Sequence, residues 1–111
     1  MLRNLTKNTN ISNDVKNAES LMDRTFGMLL GGNSGGLFFK SRFGLHTFFM
    51  NGPIDILVLD NNLKVVKTKE NLLPNRIFLW NPTFENVIEM PAGLIKKSKT
   101  EIGDRIMFSP K

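Results

Sequence analysis

Short apolar runs separated by turn residues divide most of this chain of 111 residues. Ile54–Leu59 and Ile77–Trp80 are examples, since both are rich in β-branched or aromatic residues and are shorter than a typical helix. Asn, Asp, Gly and Pro recur at intervals of roughly 8–12 residues, which is typical of short strands joined by turns. The pattern predicts a mainly β protein, a small barrel or sandwich of about seven short strands.

Two groups of turn residues predict hairpins. Asp60-Asn61-Asn62 would connect Ile54–Leu59 to a partner strand at Leu63–Thr68, because Asn and Asp tolerate left-handed backbone. Asn51-Gly52-Pro53 would likewise connect His46–Met50 to Ile54–Leu59. We therefore expect three consecutive strands of a meander in this part of the chain.

Helical spacing is limited to two places. Val15, Ala18 and Leu21 recur at the spacing of one helix face, so one N-terminal amphipathic helix is expected over about residues 13–24. A short C-terminal helix is expected at Leu94–Lys99.

The composition is that of a small globular protein. Hydrophobic residues make up 41% and charged residues 23% of the chain, which suits one core and a single domain over residues 1–111. The longest apolar run is far below the ~20 residues of a membrane-spanning helix, and the first residues lack the apolar stretch of a signal peptide. We expect a cytoplasmic protein that does not cross a membrane.

Cysteine count and net charge limit the chemistry. No Cys is present, which excludes disulfides, thiolate nucleophiles, zinc knuckles and iron–sulfur clusters. The net charge is +5, but Lys and Arg are scattered, with local groups only at Lys64–Lys69 and Lys96–Lys99. A scattered basic surface mostly promotes solubility, and nonspecific nucleic-acid binding is the alternative interpretation.

Gly32-Asn33-Ser34-Gly35-Gly36 matches the glycine–serine pattern of a nucleophile elbow and of trypsin-like proteases. The elbow needs a helix after the serine, where strands are predicted here. The protease needs its His before the serine, whereas the single His of this chain, His46, follows Ser34. The segment also lacks the Lys-Ser/Thr ending of a phosphate-binding loop. We interpret it as a flexible loop and predict no catalytic residue in it.

His46 and Asp55 are the candidate acid–base pair. In a simple hairpin closed by residues 51–53, Phe49 would face Asp55, which places His46 and Asp55 on opposite faces. A carboxylate in an apolar run is usually satisfied by backbone N–H groups, and a single His is usually a half-buried structural residue. A ligand-contacting role stays open for both residues.

Metal ligands and aromatic platforms are weakly represented. One His with Asp55, Glu89 or Asp104 has no recognisable metal-ligand spacing, so we predict neither a metal nor another cofactor. Trp80 ends an apolar run and is either a core residue or a stacking surface for a sugar or base.

Several segments together resemble one family: Arg24–Leu29, Gly36–Phe39, His46–Met50, Pro53–Asp60, Ile88–Gly93 and Ile102–Ile106. Their order and spacing are similar to those of the domain of unknown function 192, an uncharacterised protein family of bacteria and archaea. The His before Thr-Phe-Phe-Met resembles the archaeal form. The resemblance covers about Leu5 to Phe108 and implies a compact β-rich domain, but it implies no reaction.

These observations predict a non-catalytic module that binds an unknown small molecule or protein through a face near His46, Asp55, Arg76 and Trp80. Nonspecific nucleic-acid binding through the scattered Lys and Arg residues is the second hypothesis. A small hydrolase or isomerase using His46 and Asp55 is the third. The sequence leaves open whether the protein is a monomer or a homodimer.

Overall fold

A central five-stranded sheet organises the computed structural model, which describes residues 1–17, 35–48, 50 and 52–109. The elements are, in chain order, β1 (Leu2–Asn4), β2 (Thr9–Ser12), β3 (Lys16–Asn17), β4 (Leu37–Lys40), β5 (Gly44–His46), β6 (Ile54–Leu59), β7 (Val65–Leu72), β8 (Ile77–Leu79), β9 (Asn86–Pro91), α1 (Leu94–Ser98) and β10 (Ile106–Phe108). The central sheet has the order β3-β4-β9-β6-β7, a second sheet has the order β10-β1-β2, and β5 pairs with β8. The mainly β prediction is confirmed.

The central sheet is covered on both faces. Successive side chains of a strand point to opposite faces, so Leu57 and Leu59 of β6 face one side and Ile56 and Val58 face the other. The first side packs against the sheet of β10, β1 and β2 and against α1, and the second packs beneath β5 and β8. All six residues of β6 are buried, which is typical of a strand enclosed between two layers.

Of the two predicted architectures, a barrel or a sandwich, the barrel is wrong. Within the described residues the central sheet ends at β3 and β7, and these two strands do not pair with each other. The inner strands β6 and β9 are buried between two layers, and each face of the open sheet contributes to its own core cluster.

The N-terminal helix over about residues 13–24 is not supported where the structure describes it. Lys16–Asn17 form β3, which pairs in parallel with Leu37 and Phe38 of β4. Val15, which begins the helical pattern, is fully buried in the core beside β3, so burial against the sheet replaces the helix at this point. Residues 18–24 of the predicted helix and residues 31–34 of the glycine-rich loop lie outside the described residues.

One of the two predicted hairpins forms. β6 and β7 pair antiparallel around Asp60, whose carboxylate accepts the N–H groups of Asn62 and Lys64, both at 2.9 Å. The left-handed residue of this turn is Leu63, with φ 60°, and not one of the Asn or Asp residues. The hairpin around residues 51–53 is wrong, since β6 pairs with β7 and β9, whereas β5 pairs with β8.

The short C-terminal helix is observed as α1, one residue shorter than predicted. Among the described residues, no helix has the length and apolar character needed to cross a membrane.

Candidate functional site

The two-stranded sheet of β5 and β8, here called the ribbon, packs on one face of the central sheet as an outer layer of the described residues. Its antiparallel register pairs Gly44 with Leu79, Leu45 with Phe78 and His46 with Ile77. Strand alternation directs Leu45 and Phe78 into the core, where they pack with the central sheet. His46, Ile77 and Leu79 therefore lie on the outer face of the ribbon.

An apolar groove of about 350 Å³ runs over this outer face. Phe43, Ile77 and Leu79 are 70%, 63% and 62% exposed, and Phe48 is 40% exposed. Single exposed apolar residues are common on protein surfaces, but a contiguous patch of them marks an interaction site. The groove is lined by Ser41, Phe43, Gly44, Leu45, His46, Phe48, Ile77 and Leu79.

His46 is oriented by its neighbour Phe48. The two rings stack with 4.9 Å between their centroids, and the Phe48 N–H donates to Nδ1 of His46 at 3.3 Å. An imidazole whose Nδ1 accepts a hydrogen bond carries its proton on Nε2 when neutral. The half-buried ring thus adds a polar group to an otherwise apolar wall.

A basic groove of about 370 Å³ adjoins the apolar groove, and Ile77 lines both. Its lining residues are Lys69, Asn71, Leu72, Leu73, Arg76, Ile77 and Phe78. Nearby, Nζ of Lys67 donates to the Leu79 carbonyl at 3.0 Å and lies 5.1 Å from the centroid of the Phe78 ring. Among the described residues, no carboxylate forms an ion pair with Lys67, Lys69 or Arg76. The site thus joins an apolar surface to positive charge that the described part of the chain does not neutralise.

The Asp55 carboxylate is buried and accepts hydrogen bonds from backbone N–H groups. The side chain is fully buried, and Oδ1 accepts the Asn71 N–H at 2.9 Å. Oδ2 accepts the N–H groups of Gly93 and Ile95, both at 3.0 Å. The carboxylate therefore connects β6 to β7 and to the beginning of α1, as the backbone-bonding interpretation predicts.

Trp80 is also part of the core. It is 7% exposed and packs with Phe78, with ring centroids 5.7 Å apart. Its indole N–H donates to the Phe84 carbonyl at 2.8 Å, which satisfies the polar atom of a buried Trp. Of the four residues predicted to form one binding face, only His46 and Arg76 lie at the surface grooves.

His46 and Asp55 are not brought together. His46 is on the outer face of the ribbon, whereas Asp55 shares a face of β6 with Leu57 and Leu59 and points towards α1 on the opposite side of the central sheet. Both oxygens of Asp55 are occupied by backbone donors, so the pair lacks the geometry for proton transfer through one substrate. Among the described residues, no three His, Asp or Glu side chains are grouped as metal ligands would be.

Sequence reasoning missed Phe43, Phe48, Ile77 and Leu79 as surface residues. Ile77-Phe78-Leu79-Trp80 is apolar at every position, so it gives no indication of which alternate side chains are exposed. The available signal is the period of two itself: once Trp80 is placed in the core, Ile77 and Leu79 must lie on the other face.

These features define a class of protein: a mainly β domain whose layered sheets present an exposed ribbon with adjoining apolar and basic grooves. Residues 4–108 match the model of the DUF192 family, described as Uncharacterized ACR, and the chain belongs to this family. It is 32% identical to a UPF0127 protein of Pyrococcus horikoshii, over 97% of this chain and 98% of that protein. The resemblance to the archaeal form is confirmed.

Two solved structures are similar in fold. A protein of unknown function from Novosphingobium aromaticivorans superimposes with a TM-score of 0.71 at 16% identity, over 85% of this chain and 74% of that chain. A putative transcription regulator from Sinorhizobium meliloti 1021 superimposes with a TM-score of 0.68 at 20% identity, over 84% of this chain and 79% of that chain. At these identities the likeness shows the fold alone.

Proposed function

We propose that this chain is a non-catalytic binding module and that its ligand or protein partner docks on the outer face of the ribbon. The observation that supports this most directly is the group of exposed apolar side chains, Phe43, Phe48, Ile77 and Leu79, around His46. Covering such a patch removes apolar surface from water, which is the dominant favourable contribution to most associations.

In this proposal the predicted site residues divide into two roles. His46 and Arg76 contact the bound molecule, because they line the apolar and the basic groove respectively. Asp55 and Trp80 support the grooves from inside, Asp55 through its bonds to β7 and α1 and Trp80 by packing beneath β8. A single domain and a cytoplasmic location stay predictions.

A matched pair of variants tests the proposal. Ile77, on the ribbon, and Ile102, elsewhere on the surface, are both 63% exposed. Ile77→Ser and Ile102→Ser therefore remove equally exposed apolar side chains from different parts of the surface. We expect a pool of sugars, nucleotides, metabolites and short peptides to shift the amide NMR signals of His46, Ile77 and Leu79 in the wild type and in Ile102→Ser, and to shift them much less in Ile77→Ser. Shifts that avoid the ribbon, or that are equal in both variants, would contradict the proposal.

Nucleic-acid binding is the second candidate. The grouping of Lys67, Lys69 and Arg76 beside the ribbon favours it, and the description of the Sinorhizobium meliloti protein as a putative transcription regulator is consistent with it. Phosphate contacts release counterions, so binding of a mixed oligonucleotide would weaken steeply as salt is raised. Absence of binding even at low salt would remove this candidate.

A further inference from the structure

The outer edge of β8 has no strand partner among the described residues. The Thr47 N–H donates to the Arg76 carbonyl at 2.9 Å, and the Trp80 N–H donates to the Phe43 carbonyl at 3.2 Å. In an antiparallel ladder these bonds alternate, so the peptide groups of Ile77 and Leu79 point away from β5. Within the described residues β8 pairs with β5 alone. Lys67 Nζ donates to the Leu79 carbonyl on the outer edge, so the peptide groups of Ile77 are the ones that a further strand could reach.

Positive charge borders the open edge. Lys69 is paired in register with Ile56, and Ile56 packs on the ribbon side of the central sheet, so Lys69 lies on that side too. Lys67, paired with Val58, lies there for the same reason and donates to the Leu79 carbonyl. Glu70 follows Lys69 at the irregularity in the β6–β7 pairing and is not among the residues that line the basic groove. The space beside β8 is therefore lined by cations.

We propose, on the basis of the proposed function, that the partner is an extended acidic peptide segment that adds to β8 as a third strand of the ribbon. Its backbone would hydrogen-bond to the N–H and C=O of Ile77, as in other cases of strand addition to a sheet edge. Because side chains alternate along a strand, one set would be apolar and continue the face of Ile77 and Leu79. The other set would be acidic and face Lys67, Lys69 and Arg76.

The charges and the open edge together select this partner. A second copy of the chain would bring the same cations to the interface, and like charges that face each other are unfavourable. An anionic lipid would satisfy the cations and the apolar groove but has no repeating N–H and C=O groups to pair with a strand edge. An acidic peptide with alternating apolar residues matches the apolar groove, the cations and the edge.

The probe for the test is a fluorescently labelled peptide of about nine residues in which Glu alternates with Val, a length that suits strand addition. Three matched forms accompany it: one with Gln in place of Glu, one with Ser in place of Val, and one with N-methylated peptide groups on the pairing edge. We expect the Glu–Val peptide to bind more tightly than all three forms by fluorescence anisotropy. We also expect its binding to slow hydrogen exchange at the Ile77 amide.

Protein variants locate the binding. Lys69→Glu and Arg76→Glu are each expected to weaken binding about fivefold at low salt, whereas Lys97→Glu on α1, in the opposite layer, leaves it unchanged. Urea unfolding of each variant confirms that it is folded. Equal loss in Lys97→Glu, undiminished binding of the N-methylated peptide, or binding of anionic phosphatidylglycerol vesicles or an oligonucleotide in preference to the peptide would overturn this inference.

The two proposals fail separately. If the peptide does not bind but the compound pool shifts the ribbon signals, the peptide inference is wrong and the proposed function stands. If neither the peptide nor the pool affects the ribbon, both are wrong.

Discussion

Nζ of Lys7 donates to Oδ2 of Asp104 at 2.7 Å and connects the loop after β1 to the residues before β10. Asn4 Nδ2 donates to the same oxygen at 2.8 Å, and the Glu101 N–H does so at 3.0 Å. Burial alone would raise the pKa of Asp104, but the hydrogen bonds from Lys7, Asn4 and Glu101 outweigh burial and lower that pKa below its ordinary value of 3.8. The bond to Asp104 likewise raises the pKa of Lys7 above 10.5.

Asp104→Asn is expected to lower the free energy of unfolding at neutral pH by about 1–3 kcal/mol. The reason is that Nδ2 of Asn4 and Nζ of Lys7 both lose their anionic acceptor. Since the pKa of Asp104 is depressed in the folded state, its contribution is complete above pH 3.8 and is lost as the pH falls through the lower folded value. The stability difference between wild type and variant should therefore shrink in acid.

Urea unfolding at several pH values, followed by the fluorescence of the single Trp, measures this difference. Glu101→Gln is the control, since the Glu101 carboxylate is 3.6 Å from Lys7 and its side chain is 72% exposed, and exposed pairs contribute little. A difference that stays constant from neutral pH to acid would show that the Asp104 charge does not stabilise the fold.

Asp55→Ala is expected to destabilise the protein by on the order of 3 kcal/mol or more, because the N–H groups of Asn71, Gly93 and Ile95 lose their acceptor. Asp55→Asn keeps one acceptor oxygen and is expected to cost less. Urea unfolding ranks the three proteins. If Asp55→Asn unfolds as the wild type does but no longer binds a ribbon ligand, Asp55 acts in binding and its structural assignment is wrong.

Local sequence patterns predict where the strands of this protein lie better than they predict which strands pair. The hairpin of β6 and β7 follows from the turn at Asp60, because its connection is short and its side-chain bonds are local. β5 instead pairs with β8, about thirty residues further along the chain, and that choice depends on where Leu45 and Trp80 find a common apolar surface. Turn residues alone carry no information about such a distant pairing.

The same limit applies to the candidate site. The sequence indicates His46 and Arg76 as polar candidates for a binding role, but Ile77, which is exposed, lies in an apolar run that is typical of a core strand. Hydrophobicity predicts burial on average, and only the strand partner decides which face of a short apolar strand is covered. Ile77 and Leu79 are exceptions to this relation between hydrophobicity and burial, and they line the apolar groove.

Lys99→Gly is expected to stabilise the protein by about 0.5–1 kcal/mol. Lys99 follows α1 with φ 60° and ψ 31°, a left-handed conformation that glycine adopts without the strain of a Cβ. Lys97→Gly, inside α1, is the control and should destabilise the protein by about 1 kcal/mol. Glycine in a helix interior relieves no strain and increases the backbone entropy that the chain loses on folding. Thermal or urea unfolding of both variants checks the opposite signs, and a loss of stability in Lys99→Gly would contradict the argument.

Gly44→Ala is expected to weaken the ribbon itself. A Cβ at Gly44 would collide with the Phe78 carbonyl oxygen and would come within 2.6 Å of Cδ2 of Leu79, so β5 and β8 would have to separate. We expect a loss of about 1–3 kcal/mol of unfolding free energy, typical of overpacking, and faster amide exchange at Leu45 and Phe78.

Gly52→Ala is the matched control, because a Cβ at Gly52 meets nothing within 4 Å. If the ribbon is the binding element, Gly44→Ala should also reduce binding of any molecule that shifts the ribbon signals, whereas Gly52→Ala should leave that binding intact. If Gly44→Ala protein is destabilised but binds with wild-type affinity, binding does not depend on the stability of the ribbon. The partner would then dock on another surface.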